Sequence, residues 1–134
     1  MPPSVAWGLT TGLFVAIVDA ALTVVPGSLG LSADAAEIVD LTVNVVLFAI
    51  LGFRVGRWGG VVRDAAEGGV IAGVVAATIG LAFSLLIPIE PRVGLQTNDI
   101  IKSYALNIVL GGVIAMFSGW YGTIARESGS ARRP

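Results

Sequence analysis

The chain contains no cysteine, no histidine and a single lysine, and only 13% of its 134 residues are charged. Without thiols there are no disulfides, thiol redox reactions or thiolate metal sites. Without imidazole there is no histidine ligation of metal or haem, and no Ser-His or Cys-His nucleophile pair. Most enzyme mechanisms are removed with those two residue types. The candidates for an intramembrane nucleophile and base, Ser84, Ser103, Ser118 and Asp19, show no recognisable spacing. A formal net charge of −1 offers nothing to a nucleic acid. The 18 glycines form no phosphate-binding loop between a strand and a helix, so they need another explanation.

What the chain does have is apolar length. Hydrophobic residues make up 55% of it and its mean hydropathy is +0.89, a balance that a soluble domain of this size would not carry without aggregating. A helix rises about 1.5 Å per residue and the bilayer's hydrocarbon core is about 30 Å thick, so a span needs roughly 20 residues. Four runs of that length are predicted at Val5 to Val25, Ala35 to Val55, Ala65 to Ile87 and Ile100 to Ile124. They are continuous rather than alternating over ten-residue segments, which excludes a membrane barrel. The expected fold is an all-α polytopic membrane protein, a four-transmembrane-helix bundle occupying residues 1–126 as one domain. Residues 127–134 read as a short disordered tail. The lipid bilayer is the first expected partner, and no cofactor or metal is expected.

Helix punctuation supports that division. Pro26 and Gly27 stop the first run, Gly59 and Gly60 follow the second, and Pro88 with Pro91 close the third. Asp34-Ala35-Ala36-Glu37 and Asp64-Ala65-Ala66-Glu67 read as capping boxes opening the second and third spans, with the aspartates as caps. The first span is not expected to be a signal peptide: the segment before it lacks basic residues, the apolar run is too long, and Asp19 interrupts it.

Basic residues set the expected orientation. Arg54, Arg57 and Arg63 lie between spans two and three and Arg126, Arg132 and Arg133 after span four, against Arg92 and Lys102 on the other side. The positive-inside rule then places both termini in the cytoplasm. Trp7, Trp58, Trp120 and Tyr121 fall at that interface and Tyr104 near the other, as an aromatic belt requires. Arginine outnumbers lysine seven to one, a bias of GC-rich microbial genomes, and the expected location is a prokaryotic inner or cytoplasmic membrane.

The glycines repeat at helical spacing. Gly8, Gly12, Ala16, Asp19 and Thr23 share roughly an 80° arc of the first span. Gly69, Gly73, Ala77, Gly80 and Ser84 reproduce that arc 61 residues later. The segment from Leu41 to Leu47, centred on Asn44, resembles Tyr104 to Leu110, centred on Asn107, at a shift of 63. Two duplicated hairpins in the same orientation are expected from these correspondences. Small residues at every fourth position let helix backbones approach closely in lipid.

The same counting defines a polar layer. Asp19 is placed about 10 Å inside the outer end of span one, with Asn44 and Asn107 near its level and Thr23 and Ser84 closer to the surface. An ionised aspartate at mid-membrane costs roughly 2.5–3.5 kcal/mol, whereas an interhelical hydrogen bond returns about 0.6–2 kcal/mol. The candidate binding residues are therefore Asp19, Thr23, Asn44, Ser84 and Asn107. Asp40 and Lys102 are expected to form an exposed ion pair of small value. Two functions follow. One is a non-catalytic membrane protein that packs into a homo-oligomer or a larger membrane complex. The other is an oligomeric transporter or channel that moves a proton, cation or small cationic solute through Asp19.

Overall fold

A computed structural model of the chain describes residues 2–24, 32–86 and 97–130. Among them are four helices and no strand: α1 (Pro3–Val24), α2 (Ala33–Arg57), α3 (Val62–Leu86) and α4 (Thr97–Ser130). All four are long and apolar enough to cross a membrane, over Ser4–Leu22, Ile38–Arg57, Val62–Phe83 and Ile100–Gly129. The protein is an all-α four-helix bundle.

Local chemistry explains the helix ends and corrects the capping assignments. Pro3 begins α1 at the position where a missing N–H is harmless, and the Pro2 carbonyl accepts from the Val5 and Ala6 amides at 3.1 and 3.2 Å. The cap of α2 is Ser32, whose hydroxyl accepts from the Ala35 amide at 3.2 Å, and Asp34 lies in the first turn. At α3 the Asp64 carboxylate reaches back to the Val61 amide at 2.9 Å. It fills the return arm of the box rather than the cap itself. α2 stops because Gly59 turns left-handed at φ +103° and the Gly60 amide donates back to the Val55 carbonyl at 3.0 Å, a glycine-based helix stop. α4 continues to Ser130, so residues 127–130, expected in a disordered tail, are its last turn; 131–134 lie outside the described residues. At 34 residues the helix is about 51 Å long and overruns a bilayer core of about 30 Å.

The distribution of side-chain size is inverted relative to a water-soluble bundle. The buried interior is largely alanine and glycine, with Val15, Phe48, Leu51 and Val55 as its larger members. Bulky apolar groups point outward instead: Leu13, Phe14 and Ile17 on α1, Val46 and Ile50 on α2, and Leu106, Val109 and Phe117 on α4. Water would drive such a surface to aggregate, whereas hydrocarbon is indifferent to it. The exposed hydroxyls make no demand on the solvent either. Thr10, Thr42 and Thr78 each donate to the carbonyl four residues back, at 2.7–2.9 Å, as polar groups in lipid must.

The helices meet where side chains are smallest. α1 lies on α3, α3 on α4 and α4 on α2; α2 completes the ring through slighter contacts with α1 and α3, and α1 scarcely touches α4. A β-carbon on Gly12 would stand 2.7 Å from the Ala72 carbonyl oxygen. One on Gly69 would collide with Gly111, one on Gly73 with Asn107, one on Gly52 with Ala115 and one on Gly56 with Gly119. α2 and α4 run parallel; Gly52 and Gly56 approach the residues 63 further along the chain, and Gly122 packs on the Phe53 carbonyl. The α3 helix uses two adjacent small stripes, Gly68 and Ala72 toward α1 and Gly69 and Gly73 toward α4.

Gly56→Ala is expected to lower bundle stability by about 1–3 kcal/mol through overpacking against Gly119. At Gly80 a β-carbon meets nothing within 4 Å, so Gly80→Ala should be neutral or stabilising by up to about 1 kcal/mol. Reversible unfolding in mixed detergent would check both, and equal responses at the two sites would refute the packing assignment.

Candidate functional site: an intramembrane acid pair

Asp19 is brought to its place by both neighbours of α1. Gly8 and Gly12 set the first half of the helix against α3, and Val15 and Ala16 are buried in the next turn. One turn further on, Asp19 is half-buried, and its carboxyl lies within hydrogen-bonding reach of the Asp40 and Asn44 side chains of α2. Asn44 is itself only 8% exposed and directs its amide nitrogen to Asp40 Oδ2 at 3.5 Å, across one turn of its own helix. Two carboxyls and an amide thus form one cluster on two helices.

Asp40 is the member that the sequence reading placed elsewhere. It does not pair with Lys102, which is exposed. Its carboxyl turns inward, with Oδ2 toward Asn44 and Oδ1 buried with no hydrogen-bond partner. The i, i+4 spacing of Asp40 and Asn44, which puts both on one stripe of the helix, is the sequence feature behind this placement.

Asp19 precedes Leu22, the last residue of the apolar stretch of α1, by three residues, and Asp40 follows Ile38, the first of the apolar stretch of α2, by two. They lie at the end of the bundle where α1 stops and α2 begins.

Asn107 shares the depth of Asn44 without sharing its cluster. A β-carbon on Gly111 would stand 3.0 Å from the Phe48 ring, so the residues one turn earlier on each helix, Asn44 and Asn107, are level. Asn107 belongs to α4, which scarcely meets α1, and its backbone carbonyl packs on Gly73. The side chains of Thr23 and Ser84 lie outside the described residues.

Around Asp40 and Asn44 acceptors exceed donors: the Asp40 carboxylate and the Asn44 carbonyl present three oxygens, against the two N–H groups of one amide. The Asn44 Oδ1 atom, like Asp40 Oδ1, is buried without a hydrogen-bond partner. Two carboxylates in contact repel, and a proton or a cation between them relieves that repulsion. Among the described residues no third acidic group joins the pair, and a divalent ion ordinarily takes six or more oxygens. The arrangement suits a proton, a monovalent cation or a small organic cation.

Comparison with protein-family models, with curated proteins and with solved structures finds no match. The functional reading therefore rests on the geometry alone.

A double-mutant cycle on Asp19→Ala and Asn44→Ala should give a coupling of about 0.6–1.7 kcal/mol, the range for polar contacts between membrane helices. The same cycle on Asp19 and Asn107 should be additive within about 0.5 kcal/mol. Unfolding in mixed detergent measures both; additivity in the first cycle would contradict the cluster.

Proposed function

We propose that the protein is a non-catalytic integral membrane protein that binds and releases a proton or small cation at the Asp19–Asp40 pair, working as an oligomeric transporter. The observation that carries this reading is the meeting of two carboxyls from different helices inside the membrane-spanning segments. A structural tie between helices needs matched donors and acceptors, and a second acid in place of a donor serves that purpose poorly. An acid pair serves reversible uptake of positive charge well, because occupancy relieves the repulsion that vacancy leaves.

The competing reading, a packing subunit of a larger complex, drew its support from the small-residue stripes. Those stripes are used within the chain: Gly8, Gly12, Gly52, Gly56, Gly69, Gly73, Gly111 and Gly119 all face its own helices. What remains outside is bulky and apolar, suited to acyl chains. Oligomerisation stays part of the proposal because four helices with an alanine-filled interior leave no continuous route through a single copy.

Two finer features belong to the same reading. Both termini are cytoplasmic, supported by Arg54 and Arg57 at the end of α2 and Arg63 at the start of α3, and by Trp7 and Trp58, whose rings meet edge to face at 5.3 Å with Arg54 over both. The two hairpins arose by duplication, supported by the in-register packing of α2 on α4 at the same 63-residue shift that relates their sequences.

Reconstituted into liposomes carrying an internal pH indicator, the wild-type protein should give cation- or proton-dependent flux, reduced at least tenfold by Asp19→Asn and by Asp40→Asn. Asp34→Asn, an exposed first-turn residue of α2, should leave the flux unchanged. Flux that survives both pair substitutions would refute the proposal. So would the absence of any wild-type flux across a panel of protons, alkali cations and organic cations.

A further inference from the structure

The end of the bundle opposite the acid pair carries a second feature, independent of it. An open groove of about 710 Å³ runs along α2, lined by Val46, Ala49, Ile50 and Phe53 and ending at Arg54, Arg57 and Trp58. The four apolar residues follow i, i+3, i+4, i+7 spacing, so they form one continuous stripe of the helix. Val46, Ile50 and Trp58 are partly open to the surroundings, as are both arginines.

The two guanidinium groups have the freedom a ligand site requires. Arg54 stacks over Trp7 at 5.3 Å and over Trp58 at 5.9 Å, which fixes its plane while leaving its N–H donors available. Among the described residues neither Arg54 nor Arg57 has a carboxylate partner. A planar fork of donors matched to phosphate therefore stands at the head of an apolar channel.

The dimensions select the occupant. From Val46 to Arg57 is eleven residues, about 16 Å of helix, close to half of a hydrocarbon core about 30 Å thick. The groove thus has the depth of one leaflet, with its charged end at the interface and its apolar end near the midplane. A soluble anion would use the arginines and leave the stripe empty; an uncharged lipid would use the stripe and leave the arginines unmatched.

We propose that this groove is a binding site for an anionic phospholipid, the phosphate-bearing headgroup held by Arg54 and Arg57 beside Trp58 and one acyl chain laid along Val46, Ala49, Ile50 and Phe53. Each arginine is expected to favour the anionic headgroup on the order of fivefold, and Ala49 is the position where a larger side chain would displace the acyl chain.

Native mass spectrometry of the detergent-purified full chain, titrated with phosphatidylglycerol or phosphatidylcholine of identical chains, tests both halves of the site. Phosphatidylglycerol should bind the wild-type protein at least tenfold more tightly. Substituting Arg54→Gln and Arg57→Gln together should weaken it by about 30-fold, and Arg63→Gln, outside the groove, should leave it unchanged. Ala49→Trp should weaken both lipids. Equal binding of the two lipids, an equal loss with Arg63→Gln, or displacement of the lipid by millimolar inorganic phosphate would overturn the proposal. If the double arginine variant does not fold, Ala49→Trp decides alone: unaltered phosphatidylglycerol binding overturns it and reduced binding supports it.

Discussion

Hydrocarbon gives apolar side chains no reason to leave it for one another, so membrane helices are held by how closely their backbones approach. In this chain that approach occurs at glycine. Gly12 meets Ala72, Gly52 meets Ala115, Gly56 meets Gly119 and Gly69 meets Gly111, each at a distance that excludes a β-carbon. The α3 helix joins α1 to α4 because its two small stripes are one residue apart, about 100° around the helix. Every larger group is placed by what those seams leave over. Phe48, Leu51 and Val55 fill the interior that the close pairs enclose, and the remaining bulk is turned to lipid.

The acid pair lies where that rule is relaxed. No glycine of α1 approaches α2: Gly8 and Gly12 face α3, and Gly52 and Gly56 face α4. The glycines in the first half of α1 are therefore committed to α3, and further along Asp19 meets α2 through polar groups. A seam held by Asp19, Asp40 and Asn44 depends on the charge state of its own members, whereas a glycine seam does not. The two ends of the bundle differ accordingly. One carries the carboxyls, and the other carries tryptophan and arginine.

Much of this was legible in the residue order because lipid imposes simple rules. Four runs of about 20 apolar residues gave four helices with starts within about three positions. The stripe of Gly8, Gly12 and Ala16 is buried on its helix, since helical spacing alone determines which residues share a face. Which helix receives that face is a different matter. The corresponding stripe of α3, at Gly69 and Gly73, goes to α4 rather than back to α1, and spacing carries no information about partners. Asp40 shows the same limit: its spacing puts it on the Asn44 stripe of α2 and its place near the start of the span reads as interfacial, but neither says that Asp19 of α1 faces it. Ser32 was overlooked as a cap because Asp34 offers an equally good acceptor two residues later, and only the position at which the chain enters the helix decides between them. The length of α4 was underestimated because hydropathy marks where lipid ends, not where hydrogen bonding ends.

The balance of donors and acceptors gives the acid pair its distinct character among polar groups in this membrane. Ser118 donates to the carbonyls of Ile114 and Ala115, and Tyr104 donates to Thr78 at 3.0 Å, contacts in which each hydroxyl can also accept. Such contacts are complete as they stand. Around Asp40 they are not, because its Oδ1 and the Asn44 Oδ1 are buried and receive nothing. Two unit charges about 4 Å apart repel by roughly 4 kcal/mol at an effective dielectric of 20, more than one interhelical hydrogen bond returns in lipid. A single positive charge between the carboxyls removes that repulsion and supplies the missing donor or ligand together. Under the proposed function the α1–α2 seam would be tightest with the site filled, so uptake and release of the charge would act on helix packing as well as on occupancy.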